Sequence, residues 1–138
     1  IQYFIFNLNS EVDSTYSLPK NYLYEPNAAI LKSGGFSEVS HQLKVNKFHQ
    51  HSHLYTSEEV LEDFPGRIFK IQNVFPYNKK KLKKHITAKK ANITTRNFPK
   101  TVAQIRKETK LKDGGDVYLF FSTDMNNELI VIDCVKIN

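Results

Sequence analysis

The sequence has no tryptophan and a single cysteine, with only five glycines and five prolines in 138 residues. One thiol, Cys134, excludes an internal disulfide and any multi-cysteine zinc site, which fits a reducing, cytoplasmic setting. No apolar run approaches the roughly 20 residues needed to cross a bilayer. The opening IQYFIFNLN lacks the charged region and small-residue cleavage site of a secretory signal. It also lacks an initiator methionine, the expectation being a piece of a longer chain. Glycine never occurs as G-x-G. Gly34-Gly35 and Gly114-Gly115 stand alone, so the phosphate-binding turn of a dinucleotide fold is missing, as is any Asn/Asp-Pro-Pro-aromatic tetrad of amino-methyltransferases.

What is present is a core and a divided charge. Hydrophobic residues make up 40%, with ten Phe and seven Tyr, enough for a packed interior rather than wholesale disorder. The net charge of +6 conceals two halves. Residues 1–65 hold four Lys against eight Asp/Glu, a balance of −4, whereas residues 66–138 hold sixteen Lys/Arg against six Asp/Glu, a balance of +10. Basicity confined to one half points to a polyanion-facing module. The competing explanation is charge that merely solubilises.

Ile1–Asn9 alternates as a strand does, and Ser10–Lys20 reads as a loop. Tyr22–Tyr24 is a short strand, after which Pro26 opens a helix through Ile30 and Leu31 that Gly34-Gly35 end. Phe36–Leu43 is a second helical piece, Lys47–Leu54 is extended, and Tyr55–Glu59 starts a turn or short helix with Ser57 as a possible cap. The turn Asp63-Phe64-Pro65-Gly66 marks the change of charge sign. Arg67–Phe75 alternates Ile68, Lys70, Gln72 against Phe69, Ile71, Asn73 and is a strand. Asn78–Lys90 is a helix with one thin apolar stripe, Leu82 and Ile86. Ala91–Asp116 forms the centre of the basic half: a strand over Asn92–Phe98, a helix begun by Pro99 with Val102, Ile105 and Thr109 on its inner side, and a Gly-Gly stop. Val117–Ser122 and Glu128–Ile137 form a hairpin, apolar on both faces and therefore central in its sheet. The basic half is β-α-β-α-β-β and the acidic half β-β-α-α-β, which together give an α+β fold.

Five stretches carry a resemblance: Glu25–Lys32 (EPNAAILK), Ser52–Ser57 (SHLYTS), Asp63–Lys70 (DFPGRIFK), Ala91–Pro99 (ANITTRNFP) and Lys110–Asp116 (KLKDGGD). In this order they are similar to the C-terminal region of proteins assigned as class I SAM-dependent methyltransferases in Bacteroidetes. There a Rossmann-like catalytic domain is followed by a ferredoxin-like segment and a THUMP-like domain. The resemblance implies a ferredoxin-like segment over residues 1–65 and a THUMP-like sandwich over residues 66–138. It also implies an accessory, noncatalytic region that docks structured RNA, tRNA or rRNA, for a parent methyltransferase domain, with S-adenosylmethionine bound by that domain. The alternative is a structural or protein-interaction tail packed on the catalytic domain.

The residues expected to touch RNA are Lys79, Lys80, Lys81, Lys83, Lys84, Lys89 and Lys90, extended by Arg96, Arg106, Lys107, Lys110 and Lys112 if the two helices lie side by side. Glu25 and Asn27 suit either a capped turn or a contact with the catalytic domain's cleft. His49, His51 and His53 alternate and would share one strand face, as metal ligands can, but no Cys or carboxylate stands nearby. No metal site is expected. Asp113-Gly114-Gly115-Asp116 is a turn, since paired acids repel phosphate, and Cys134 in its apolar strand is an inert buried thiol.

Overall fold

The computed structural model describes residues 17–27, 46–47, 54–62 and 64–137. The strand expected over Ile1–Asn9, the helix expected over Phe36–Leu43, and His49, His51 and His53 lie outside the described residues; of the helix expected from Pro26 only Pro26 and Asn27 are described, and there Pro26 is the last residue of a strand instead of a helix start.

Seven strands form one sheet in the order β2-β3-β1-β4-β7-β6-β5. They are β1 (Tyr22–Pro26), β2 (Asn46–Lys47), β3 (Tyr55–Ser57), β4 (Gly66–Pro76), β5 (Asn92–Arg96), β6 (Tyr118–Thr123) and β7 (Leu129–Lys136). Two helices, α1 (Lys79–His85) and α2 (Val102–Thr109), fall between β4 and β5 and between β5 and β6. The basic half is thus β-α-β-α-β-β, with β6 and β7 inside the sheet as their two apolar faces require. All strand pairs are antiparallel except β5 with β6. Strand β4 pairs with β1 through Gly66–Lys70 and with β7 through Phe69–Pro76, so it joins the two halves of the chain.

The expected alternation of β4 does not run through. A bulge lies between Ile71 and Asn73, and Gln72 has no partner on β7. One extra residue inverts the side-chain parity. Ile68 and Phe75, seven residues apart, therefore share a face. On that face Tyr24, Tyr55, Phe64 and Ile68 form one cluster, while Phe75, Leu119, Phe121 and Val131 meet Leu82 of α1 and Ile105 of α2 in another. Both helices thus cover a single face. The opposite face buries Leu23, Phe69, Phe120, Ile132 and Cys134, with the Phe69 and Phe120 rings edge to face at 4.9 Å.

Several local expectations are corrected. Tyr55–Ser57 is a strand, not the start of a helix, because it pairs between β1 and β2 and sends Tyr55 into a core. Helix α1 ends at His85, well short of Lys90, with Ile86 extended as its cap. The β-branched pair Ile86-Thr87 leaves the helix, and the backbone beyond bonds to Lys112 instead, through Ala91 N–H to Lys112 O and Lys112 N–H to Lys89 O. Helix α2 is opened by Thr101 rather than Pro99. The Thr101 hydroxyl accepts from Gln104 N–H and the Gln104 side chain accepts from Thr101 N–H, a reciprocal pair that satisfies two end donors. Lys110, left-handed at φ 60°, ends it before the glycines are reached, while Gly114 and Gly115 take positive φ in the following turn.

Candidate nucleic-acid interface

Helix α1 can form despite five lysines in seven residues because each end is managed. Asn78 caps it by accepting from Lys81 N–H at 2.8 Å, and Lys83, Lys84 and His85 stand at the negative end of the helix dipole. Only Leu82 is buried, so the lysines stand in water. Lys89 and Lys90 do not belong to the helix. They lie in the segment that bridges to Lys112, Lys90 and Lys112 being partners in an isolated parallel bridge. Lys110 follows α2 directly, and Lys107 is exposed on its last turn. The cations Lys79, Lys80, Lys81, Lys83, Lys84, Lys89, Lys90, Lys107, Lys110 and Lys112 are all exposed, and none of them forms an ion pair among the described residues. They sit on the two helices and on the segments that follow each of them, residues 86–91 and 110–113.

The two arginines expected in this patch are differently employed. Arg106 donates to Leu111 O, Ala91 O and Asp113 Oδ1, tying the end of α2 to the start of β5. Arg96 leaves the helical side altogether. Its Nη2 lies 2.6 Å from Glu25 Oε2, while Arg67 Nε lies 2.6 Å from Glu25 Oε1. The Glu25 side chain is 11% exposed and its partners 39% and 32%. Glu25 is a strand residue of β1, so the capped turn expected there is replaced by a carboxylate held between two guanidiniums. Asn27 N–H donates to Pro65 O at 2.9 Å, a second link across the charge boundary.

A residue absent from the expected patch, Lys100, is pinned beside it. Its Nζ donates to Glu108 Oε1 at 2.6 Å and to the Tyr77 hydroxyl at 2.9 Å, and Tyr77 donates to Glu108 Oε2. The carboxylate bond raises the Lys100 ammonium above its ordinary value, and the ammonium bond lowers Glu108 below the usual carboxylate range. This network marks one end of a groove of about 260 Å³ between α1 and α2. Leu82, Ile86, Ala88 and Leu111 give it an aliphatic lining, and Lys79 and Lys83 edge it. The Leu82–Ile86 stripe was the only sequence signal for it.

Among the described residues no three His, Cys, Asp or Glu side chains gather as a metal site, and no helix is long and apolar enough to cross a membrane. Gly114 and Gly115 lie in the turn between α2 and β6, not between a strand and a helix start.

A mixed sheet with both helices on one face defines an α+β fold. The chain belongs to the THUMP domain-like family, whose model matches residues 66–136, just over half its length. A ferredoxin-like domain model matches residues 22–65. The chain is also similar to a crystal structure from Porphyromonas gingivalis W83, named a "putative methyltransferase", at 34% identity and a TM-score of 0.85. That match covers 92% of this chain and 32% of the other, so the chain spans about a third of that protein's length. No curated protein matches.

Proposed function

We propose that this chain is the RNA-docking, noncatalytic C-terminal region of a cytoplasmic SAM-dependent methyltransferase. Its two segments, residues 1–65 and 66–138, lie behind a catalytic domain that binds the cofactor. The observation that carries this reading is the set of exposed lysines on α1, on α2 and on the segments after each, none of which forms an ion pair among the described residues. Each lysine that neutralises a phosphate releases a condensed counterion, giving affinity that is independent of sequence and steeply dependent on salt. A-form RNA presents backbone and shape rather than readable base edges, and flexible ammonium groups suit that surface. Holding a structured RNA here raises the effective concentration of its target atom at the parent's active site. Arg96 and Arg106 are not part of the contact set, since their guanidiniums are already bonded.

The test is salt-titrated binding of the chain to tRNA and to a structured rRNA fragment. Five phosphate contacts correspond to a slope of log K against log salt of about −4. Changing Lys80, Lys81, Lys83 and Lys84 together to Glu is expected to abolish binding while thermal unfolding is kept. Retained affinity in that variant would refute the proposal in favour of lysines that only solubilise a protein-packing tail.

A further inference from the structure

The groove between α1 and α2 has features that a plain phosphate-binding surface does not need. A duplex backbone lies across exposed ammonium groups and needs no cavity. Here the floor is aliphatic, built from Leu82, Ile86 and Leu111, and the volume of about 260 Å³ is at the small end of ligand pockets, suited to one compact planar group and too small for a base pair. Lys79 and Lys83, one helical turn apart, stand on the same rim. The Glu108 carboxylate, which also lines the groove, is matched by Lys100, and Lys79 is close enough to help hold it ionised. The groove is therefore net positive at its rim and apolar at its floor.

We infer that this groove receives a single unpaired nucleotide of the docked RNA. Its base face lies on Leu82, Ile86 and Leu111, and its phosphate sits between Lys79 and Lys83. The inference rests on the RNA-docking reading and deepens it. A base removed from its stack buries an apolar face, which the aliphatic floor supplies, while its attached phosphate brings the charge that the rim complements. Thr109 adds no donor for the phosphate, because its hydroxyl hydrogen is given to Ile105 O at 2.8 Å. The lysines directed elsewhere on α1, Lys80 and Lys84, would serve paired and unpaired RNA alike.

The experiment compares a short blunt RNA duplex with the same duplex carrying one bulged 2-aminopurine nucleotide, using the full chain. The bulged RNA is expected to bind about tenfold tighter, equivalent to roughly 1.4 kcal/mol, with a change in 2-aminopurine fluorescence on binding. Ala88→Phe, which fills the groove, is expected to erase that preference and leave blunt-duplex affinity intact. The exposed pair Lys79→Gln with Lys83→Gln, which leaves the floor untouched, is expected to weaken bulged-RNA binding more than blunt-duplex binding and so shrink the preference, whereas Lys80→Gln with Lys84→Gln lowers both equally. Equal affinity for the two RNAs, or a preference that survives both groove variants, overturns the inference while leaving the docking reading in place. Failure to bind either RNA at low salt overturns both.

Discussion

Glu25 Oε2 and Arg96 Nη2 are 2.6 Å apart, although their strands, β1 and β5, are separated by β4, β7 and β6 in the sheet. Strands lie about 4.8 Å apart, so a flat sheet would hold these two backbones about 19 Å from one another. The sheet must curl over the face that carries them. The bulge in β4 supplies a local kink and extra twist, and Arg67, from that same strand, takes the other Glu25 oxygen. Replacing Glu25 by Ala leaves two guanidiniums facing one another on a curved surface. Because each is about a third exposed, water screens part of the cost, and a loss of about 2 kcal/mol is expected in urea unfolding. A double-mutant cycle of Glu25→Ala with Arg96→Ala checks it: additive losses would mean the contact contributes nothing.

Gly66 starts β4 opposite Pro26, and a Cβ placed there would come within 2.0 Å of Glu25 O. Backbone cannot yield as a side-chain tip does. Gly66→Ala is expected to cost about 3 kcal/mol by forcing β1 away from β4. The measurement is the urea midpoint, together with loss of exchange protection along Tyr22–Pro26. An unchanged midpoint would refute the close approach.

Cys134 is fully buried, and burial, aided by the neighbouring Asp133 charge, pushes its thiol far above the ordinary range. Only thiolate reacts, so a chromogenic disulfide reagent at mildly alkaline pH is expected to label the native chain at the rate of global opening. Labelling in urea is expected within the mixing time. Equally fast labelling without urea would show that the strand is accessible.

Asp133 is half-buried, and desolvation raises its carboxyl above the usual range, opposed by the charge of His85. A carboxyl raised in the folded state binds its proton more tightly there than when unfolded. Its contribution is therefore favourable in acid and lost as pH rises through the folded value. Glu108 has the opposite sign, since its lowered value contributes stability above the unfolded carboxylate range that is lost as pH falls. Asp133→Asn is expected to raise the neutral-pH melting temperature slightly and to remove the acid-side gain. Melting curves from pH 4 to 7 check both signs, and a lower melting temperature in the variant would contradict them.

The carboxy-terminal architecture could be read from the chain because its signals were local. Val117–Thr123 and Leu129–Lys136 alternate or run apolar around a polar loop, and Leu82 and Ile105 announce the buried side of each helix. The ends of elements were less legible. Pro99 and the Gly114-Gly115 pair are strong punctuation, yet a Thr101–Gln104 capping box and a left-handed Lys110 fixed α2 instead. Propensity was overruled there by specific hydrogen bonds. The candidate interface was partly legible for a related reason. A run of lysines declares its charge, but which cations remain unpaired depends on contacts distant in sequence, such as Arg96 with Glu25, 71 residues away. Nothing local in ANITTR distinguishes a phosphate-binding arginine from one that closes a curled sheet.

The eleven residues of β4 have a mechanical meaning. The boundary between the two family matches falls at Gly66, the first residue of a strand that pairs with β1 along its first half and with β7, across the bulge, along the rest. A flexible linker samples a cloud of separations, whereas a strand holds a set spacing of about 3.3 Å per residue. Load applied to the lysine-bearing layer is passed to Tyr22–Pro26 as through a beam. The ferredoxin-like segment and the lysine-bearing layer are thereby kept at one separation, as by a ruler.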